Sequence, residues 1–265
     1  MSTKIKFAVI GAGRIGKRHA SMVKLNKDAE LVAIVDTDES LKEELEKEFN
    51  VPFFTLSEAL YKAGIEMDVV NICTPNYLHA PQAIEALQHK CHVVVEKPMA
   101  LTKVDAEKVI HYSLQVNKRV FCVMQNRYSP PSRWLKEVVG SNLLGEIYMV
   151  NINCFWNRDD DYYKGGDPNY WKGKLEKDGG TLFTQFSHFL DTMYWLFGDI
   201  KNIKASFYDF NHQKTTEFED SGIVQFDFVN GGAGSLNYST AVYDQNMESS
   251  ISIVGEKGAV KVGGQ

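Results

Sequence analysis

The chain has 265 residues, 44% of them hydrophobic and 24% charged, which is enough for two domains or one large one and ordinary for a folded globular protein. Its formal net charge of −5 provides no basic surface of the kind that nucleic acid or an anionic membrane needs, so neither is expected as a partner. Cys73, Cys91, Cys122 and Cys154 form no C-x-x-C pair and read as buried reduced thiols; with no leader-like start and no apolar run of spanning length, the expected location is the cytoplasm.

The first predicted strand, Ile5 to Ile10, runs into Gly11-Ala12-Gly13-Arg14-Ile15-Gly16, which opens a helical pattern through Arg18, Met22 and Leu25. A glycine hexapeptide between strand and helix is the context of a dinucleotide fingerprint. Gly11 permits the tight turn, Gly13 lets backbone approach a pyrophosphate, and Gly16 lets helix pack on strand. The helix N-terminus offers free N–H groups to the phosphates. The next strand, Glu30 to Val35, ends at Asp36, about twenty residues past the last glycine, where an acidic side chain accepts hydrogen bonds from the adenosine ribose. A carboxylate there repels a 2′-phosphate and Thr37 is not a compensating arginine, so NAD is expected over NADP. The alternative for Asp36 is a helix N-cap, a role open to Thr37 and Asp38 as well.

Strands are predicted at Phe53 to Thr55, Met67 to Ile72, His92 to Val95 and Arg119 to Val123, with helical spacing between them, as in Ala83, Ile84 and Leu87. Such alternation specifies an α/β doubly wound parallel sheet over residues 1–124, with ligands at the carboxyl ends of its strands. Thr74-Pro75-Asn76, Glu96-Lys97-Pro98 and Gln125-Asn126-Arg127 all follow strands. Lys97 puts an amine into a cleft already marked for a dinucleotide. Oxidising a secondary alcohol needs a group to take the hydroxyl proton, and burial beside a cofactor lowers a lysine from its reference pKa near 10.4 toward that task. The plain alternative is a solvated lysine at a strand end.

Beyond Tyr128-Ser129-Pro130-Pro131 the pattern changes to a helix, Ser132 to Val139, a long strand, Glu146 to Phe155, a polar aromatic loop and one helix from Gly179 to Phe197. Strands follow at Ile203 to Phe210, Gly222 to Val229, Ala233 to Tyr238, Ser250 to Val254 and Ala259 to Val262, several of them joined by short glycine turns. Residues 125–265 are therefore expected to form an α+β domain with a predominantly antiparallel open sheet. Val224, Phe226 and Phe228 alternate with a mixed face, which predicts a homo-oligomer, dimer or tetramer, through that sheet. Asp159-Asp160-Asp161 reads as a solvated acidic turn, and no metal is expected.

Taken together, the fingerprint, the Thr-Pro-Asn turn with His79 three residues on, Glu96-Lys97-Pro98, and Gly179-Gly180 followed by His188 and Asp191 resemble the glucose-fructose oxidoreductase/inositol dehydrogenase (Gfo/Idh/MocA) family over essentially the whole chain. Arg158, Tyr162-Tyr163, Trp171-Lys172-Gly173 and Asp178-Gly179-Gly180 look like the branch that oxidises the 3-hydroxyl of UDP-N-acetylglucosaminuronate for surface-polysaccharide synthesis. The resemblance implies a Rossmann domain holding NAD through Gly11, Gly13, Arg14, Ile15, Gly16 and Asp36. Thr74, Asn76, His79, Glu96, Lys97 and Gln125 are implied at the same cofactor.

It further implies Lys97 as the base and His188 as a residue that shares or relays its proton. Sequence alone reads His188, among Phe183, Phe186, Phe189 and Leu190, more readily as a satisfied core histidine. Thr184, four residues earlier, is expected on the same helix face; it stands where polyol-oxidising relatives carry aspartate and sugar-nucleotide relatives tend to asparagine. Arg158, Tyr163 and Trp171 are implied at the sugar and its anionic groups. Arg127 suits the nicotinamide end or a substrate anion, with an interdomain salt bridge as the alternative. Family members usually continue for several dozen residues past the position of Gln265, so cofactor binding is expected to survive better than catalysis in this chain. An NAD-dependent glycosidase of the same family and a non-catalytic dinucleotide sensor are the competing functions.

Overall fold

A computed structural model describes residues 4–264. They divide into two compact units, the first running to Val123 and the second starting at Met124.

The first unit is a six-stranded, wholly parallel sheet. Its strands are β1 (Ile5–Ile10), β2 (Ala29–Val35), β3 (Phe53–Phe54), β4 (Val69–Ile72), β5 (His92–Val95) and β6 (Val120–Cys122), in the order β3-β2-β1-β4-β5-β6. The crossovers carry α1 (Arg14–Leu25), α2 (Lys42–Phe49), α3 (Ser57–Lys62), α4 (His79–Gln88) and α5 (Lys103–Gln115). Strands covered on both faces must be apolar throughout, and Val70, Ile72, Val93 and Val95 are fully buried. One cluster packs Val70, Ile72, Ala83, Leu87 and Val93; the other packs Val9, Ile34, Leu45 and Phe49. Strand order reverses between β1 and β4, and at such a switch point the strand ends open a crevice for a ligand.

In the second unit the strands are β7 (Ile147–Phe155), β8 (Ile200–Tyr208), β9 (Ser221–Phe228), β10 (Ala233–Ser239), β11 (Glu248–Gly255) and β12 (Ala259–Gly264), ordered β12-β11-β7-β10-β9-β8. Every pair is antiparallel except the central one, β7 with β10, which is parallel. A parallel pair requires a long crossover. The chain makes one here: it leaves β7, crosses the covered face through the helices, and returns by the β8–β9–β10 meander. Short turns reveal only antiparallel neighbours, so this pair was not legible from them.

The predicted helix Gly179 to Phe197 is instead two pieces, α8 (Thr181–Thr184) and α9 (Ser187–Phe197), preceded by α6 (Pro130–Gly140) and the short α7 (Leu175–Asp178). Gly179 and Gly180 have φ of 101° and 106°, so they terminate α7 in a conformation that residues with a Cβ avoid. The break between α8 and α9 falls at Phe186, which is fully buried against Trp156 and Tyr238. Burying a phenylalanine contributes about 1.5–3 kcal/mol. Inward residues Val150, Ile152, Val224, Phe226 and Leu236 form the core with Met193, Leu196 and Phe197.

Candidate active site

The residues expected at a dinucleotide lie mostly in the first unit. Gly11 has φ 90°, and a Cβ there lies 2.7 Å from the Cys73 carbonyl carbon, so only glycine allows β1 to turn beside the end of β4. Gly16 is tighter still: its Cβ falls 1.7 Å from the Gly11 oxygen. Gly13 is the opposite case, with nothing within 4 Å of an added Cβ, and it caps α1 with no side-chain hydrogen bond and no acidic residue in the first turn. Exposed Gly13 and Arg14 and half-buried Ile15 thus surround open N–H groups carrying the positive end of a 12-residue helix. That cradle fits a pyrophosphate.

Asp36 accepts hydrogen bonds from Ala12 N at 2.6 Å and Asp38 N at 2.9 Å. The N-cap of the following turn is Asp38, whose side chain accepts from Ser40 N, so Asp36 does not play that part. Two of the roughly four acceptor positions of a carboxylate are occupied, leaving capacity for ribose hydroxyls at the glycine loop. We expect Asp36→Ala to weaken NADH binding about ten- to a hundredfold, from hydrogen bonds to a charged group, while NADPH binding changes little. Parallel titrations check this, and an unchanged NADH affinity removes Asp36 from the site.

At the end of β4, half-buried Thr74 donates from Oγ1 to Gln82 Oε1 at 2.6 Å, and buried Asn76 starts the next turn. His79 requires a correction. It is 1% exposed, with Nδ1 2.6 Å from the Pro98 oxygen and Nε2 2.8 Å from the Thr74 oxygen. Both ring nitrogens face backbone carbonyls, so His79 ties the β4 turn to the β5 turn and has no nitrogen left for a dinucleotide. Glu96, ending β5, contacts His19 Nε2 at 3.0 Å. Burial pushes the Glu96 carboxyl up, but the His19 hydrogen bond and charge, with the Lys97 amide and ammonium, outweigh it and hold it below the usual range. Sequence reading missed His19; its place one turn after Ile15 on the face of α1 toward the strands was the available clue. Lys97 is half-buried beside this carboxylate, and the Lys97–Pro98 peptide is cis.

The remaining residues belong to the second unit. Gln125 is exposed in a single turn with Arg127. Arg127 forms a bidentate pair with Asp191 of α9, Nε to Oδ2 2.7 Å and Nη2 to Oδ1 2.5 Å. Both partners lie beyond Val123, so this pair is not the interdomain bridge considered from sequence. His188 sits in the first turn of α9, 7% exposed. Thr184 is not on its helix. Buried in α8, Thr184 turns its hydroxyl to the Gly180 and Asp178 carbonyls at 2.6 and 3.0 Å, closing the glycine turn rather than presenting a donor to a sugar.

Arg158 is the best-positioned cation. Its Nε donates to Gln185 Oε1 at 2.8 Å, Nη1 to the Asn157 oxygen at 2.6 Å, and its guanidinium lies 4.9 Å from the Trp156 ring and 5.1 Å from the Tyr162 ring. Gln185 in turn donates to the Tyr162 hydroxyl at 2.8 Å. Lys172 adds a second cation 3.8 Å from the Tyr162 ring centroid, and half-buried Trp171 lies next to it. Of the two adjacent tyrosines, the one expected at the sugar is the buried one. Tyr163 is 1% exposed and belongs to the core, burial pushing its phenol up; Tyr162 is the accessible one. Asp159, Asp160 and Asp161 are exposed in the adjoining turn, where Asp159 accepts from Tyr162 N.

A glycine loop under an open helix N-terminus, an acid at the end of β2 and a lysine at the end of β5 define a dinucleotide-dependent oxidoreductase. Residues 5–124 match the oxidoreductase family with NAD-binding Rossmann fold, and residues 132–261 match the GFO/IDH/MocA C-terminal domain. The chain belongs to the GFO/IDH/MocA family. It is 30% identical to D-glucoside 3-dehydrogenase of Escherichia coli, over 91% of this chain and 72% of that one. Among solved structures it is similar to the WlbA dehydrogenase of Bordetella pertussis in complex with NADH and UDP-GlcNAcA, with a TM-score of 0.92 and 36% identity over 100% of this chain and 75% of that one. The Chromobacterium WlbA dehydrogenase, also with NADH and UDP-GlcNAcA, gives 0.91 and 35% over 98% and 74%. The protein is an NAD-dependent sugar oxidoreductase. No helix among the described residues is long and apolar enough to cross a membrane.

Proposed function

We propose that the protein oxidises C3 of a UDP-N-acetyl-hexuronate with NAD, in the synthesis of a surface polysaccharide. The observation that carries this reading is Arg158, fixed by Gln185 and flanked by Trp156 and Tyr162, in a chain similar to two dehydrogenases holding NADH and UDP-GlcNAcA. A planar guanidinium with its Nε anchored suits a carboxylate or phosphate. Gly11, Gly13, Gly16 and Asp36 hold the cofactor, which when bound supplies the hydride acceptor. Lys97 takes the C3 hydroxyl proton, and His188 orients that hydroxyl and relays the proton.

Arg158→Gln is expected to raise the KM for UDP-N-acetylglucosaminuronate about ten- to a hundredfold, from loss of a charge-assisted hydrogen bond, with kcat changed far less. A panel of UDP-sugars and free polyols, followed by NADH absorbance and product analysis, tests the substrate class. Turnover confined to free polyols would remove the sugar-nucleotide reading.

We also propose that the second unit self-associates through its uncovered sheet face. Met149, Ile223 and Val254 are 60%, 49% and 45% exposed there, beside polar ladders in which Asn151 donates to Ser235 and Asn237 to Asn153. Sedimentation should return a dimer or tetramer; a monomer at micromolar concentration contradicts it.

A further inference from the structure

His212 lies in a polar segment between β8 and β9 that reads as a surface loop, yet it is 1% exposed, as is Asp220. Its Nδ1 is 3.1 Å from Asp220 Oδ2, and its Nε2 is 2.6 Å from the backbone oxygen of Arg158. A carboxylate and a carbonyl are both acceptors, an arrangement that only the imidazolium form, with a donor on each nitrogen, satisfies on both sides. Asp220 is itself fully engaged: Oδ2 also accepts from Phe210 N and Asn211 N at 2.9 and 2.7 Å, and Oδ1 from Ser221 Oγ at 2.7 Å. Arg158 N donates to the Thr240 oxygen and Thr240 N to the Asp220 oxygen, at 2.9 and 2.8 Å. The Arg158 carbonyl is therefore held by His212, and the Arg158 N–H by Thr240, whose own N–H is bonded to the Asp220 backbone.

We propose that His212 is a positioning residue: its imidazolium, clamped between Asp220 and the Arg158 carbonyl, fixes the Arg158 backbone so that the side chain meets Gln185, Trp156 and the substrate anion. The proposal rests on Arg158 being the substrate-anion residue described above. Asp209, His212 and Asp220 bring three ligand-type atoms within 4.8 Å of one another, but a cation there would have to displace the N–H donors that Asp220 and the Arg158 carbonyl already hold. The cluster is better matched to a buried ion pair.

The charged and titratable groups facing His212 are Asp220, Asp209, Tyr163 and Arg158, the last through its carbonyl. Burial disfavours the imidazolium, but Asp220, the Arg158 carbonyl and Asp209 outweigh it and raise His212 above its ordinary value. Burial also works against the Asp220 carboxylate; His212, Ser221 and two backbone amides bring it down to about 2. The sign follows. The clamp is intact when His212 is protonated and is lost as pH rises through its raised pKa, because a neutral imidazole donates from only one nitrogen. Tyr163, raised by burial, remains neutral over that range.

The test is calorimetric binding of UDP-N-acetylglucosaminuronate to the NADH-saturated protein, from about pH 6 to about pH 10, for wild type, His212→Gln, Arg158→Gln and the double variant. The wild-type Kd should rise about tenfold across the alkaline limb; in His212→Gln it should start about tenfold higher and lose that limb. The His212→Gln effect should vanish in the Arg158→Gln background, and NADH affinity should be unchanged throughout. If Arg158→Gln weakens binding but His212→Gln does not, or the two effects simply add, the positioning role is overturned and the substrate reading stands. If Arg158→Gln itself leaves binding unchanged, the parent reading fails. Should His212→Gln not fold, nitrogen NMR of wild-type His212 decides: a singly protonated ring at neutral pH overturns the proposal.

Discussion

Lys97→Ala is expected to lower turnover about 10²- to 10⁴-fold, the range that a general acid–base group contributes, while NADH binding stays within a few-fold. Lys97 follows β5, where the ends of parallel strands carry ligand chemistry, and it is half-buried next to a Glu96 carboxylate that His19 holds in place. Removing the amine leaves the glycine loop, Asp36 and the helix N-terminus untouched, so the loss should fall on chemistry rather than affinity. The two halves of the expectation have separate readouts, steady-state turnover and fluorescence titration with NADH. Unchanged turnover would exclude Lys97 as the base, and equal losses in both would make it a cofactor ligand only. His188→Ala should cost less in rate and more in substrate affinity.

Gly16→Ala should be the most damaging single methyl in the first unit. Its Cβ meets the Gly11 oxygen at 1.7 Å and the Gly11 carbon at 2.8 Å, and these are backbone atoms that cannot swing aside. Either α1 moves off the glycine loop or the loop moves off β4, and both dismantle the phosphate cradle. Overpacking costs about 1–3 kcal/mol or more, so the denaturation midpoint should drop and NADH binding should be lost. Gly13→Ala is the informative contrast, because nothing lies within 4 Å of its added Cβ. Stability should be kept, yet the methyl occupies the approach that a pyrophosphate needs. A stable, NADH-binding Gly16→Ala protein would mean that helix and loop do not pack as described.

The dinucleotide cradle was legible in the sequence because local rules determine it: glycines at a strand-to-helix turn and an acid at the next strand end are set by short-range geometry. The substrate half was less so. Between neighbouring Tyr162 and Tyr163, burial chose Tyr163 for the core, and no residue pattern in a polar loop shows which of two adjacent rings turns inward. Thr184 and His188 have the spacing of one helix face, but Phe186 enters the aromatic core between them and ends the helix. His79 carries a motif position yet bridges two carbonyls. His212 drew no attention because Asn211-His212-Gln213-Lys214 is polar throughout; its partner at Arg158 is distant in sequence and comes near only through the parallel pairing of β7 with β10. Long-range pairing of this kind leaves no periodic trace.

The most direct measurement is a product analysis of UDP-N-acetylglucosaminuronate incubated with the protein and NAD. The expected result is one NADH formed for each molecule of 3-keto sugar nucleotide, with the glycosidic link to UDP intact and the ketone placed at C3 by NMR. Free UDP with no retained ketone would instead indicate oxidation-initiated elimination. Tight NADH binding without turnover of any UDP-sugar or polyol would contradict the dehydrogenase outright.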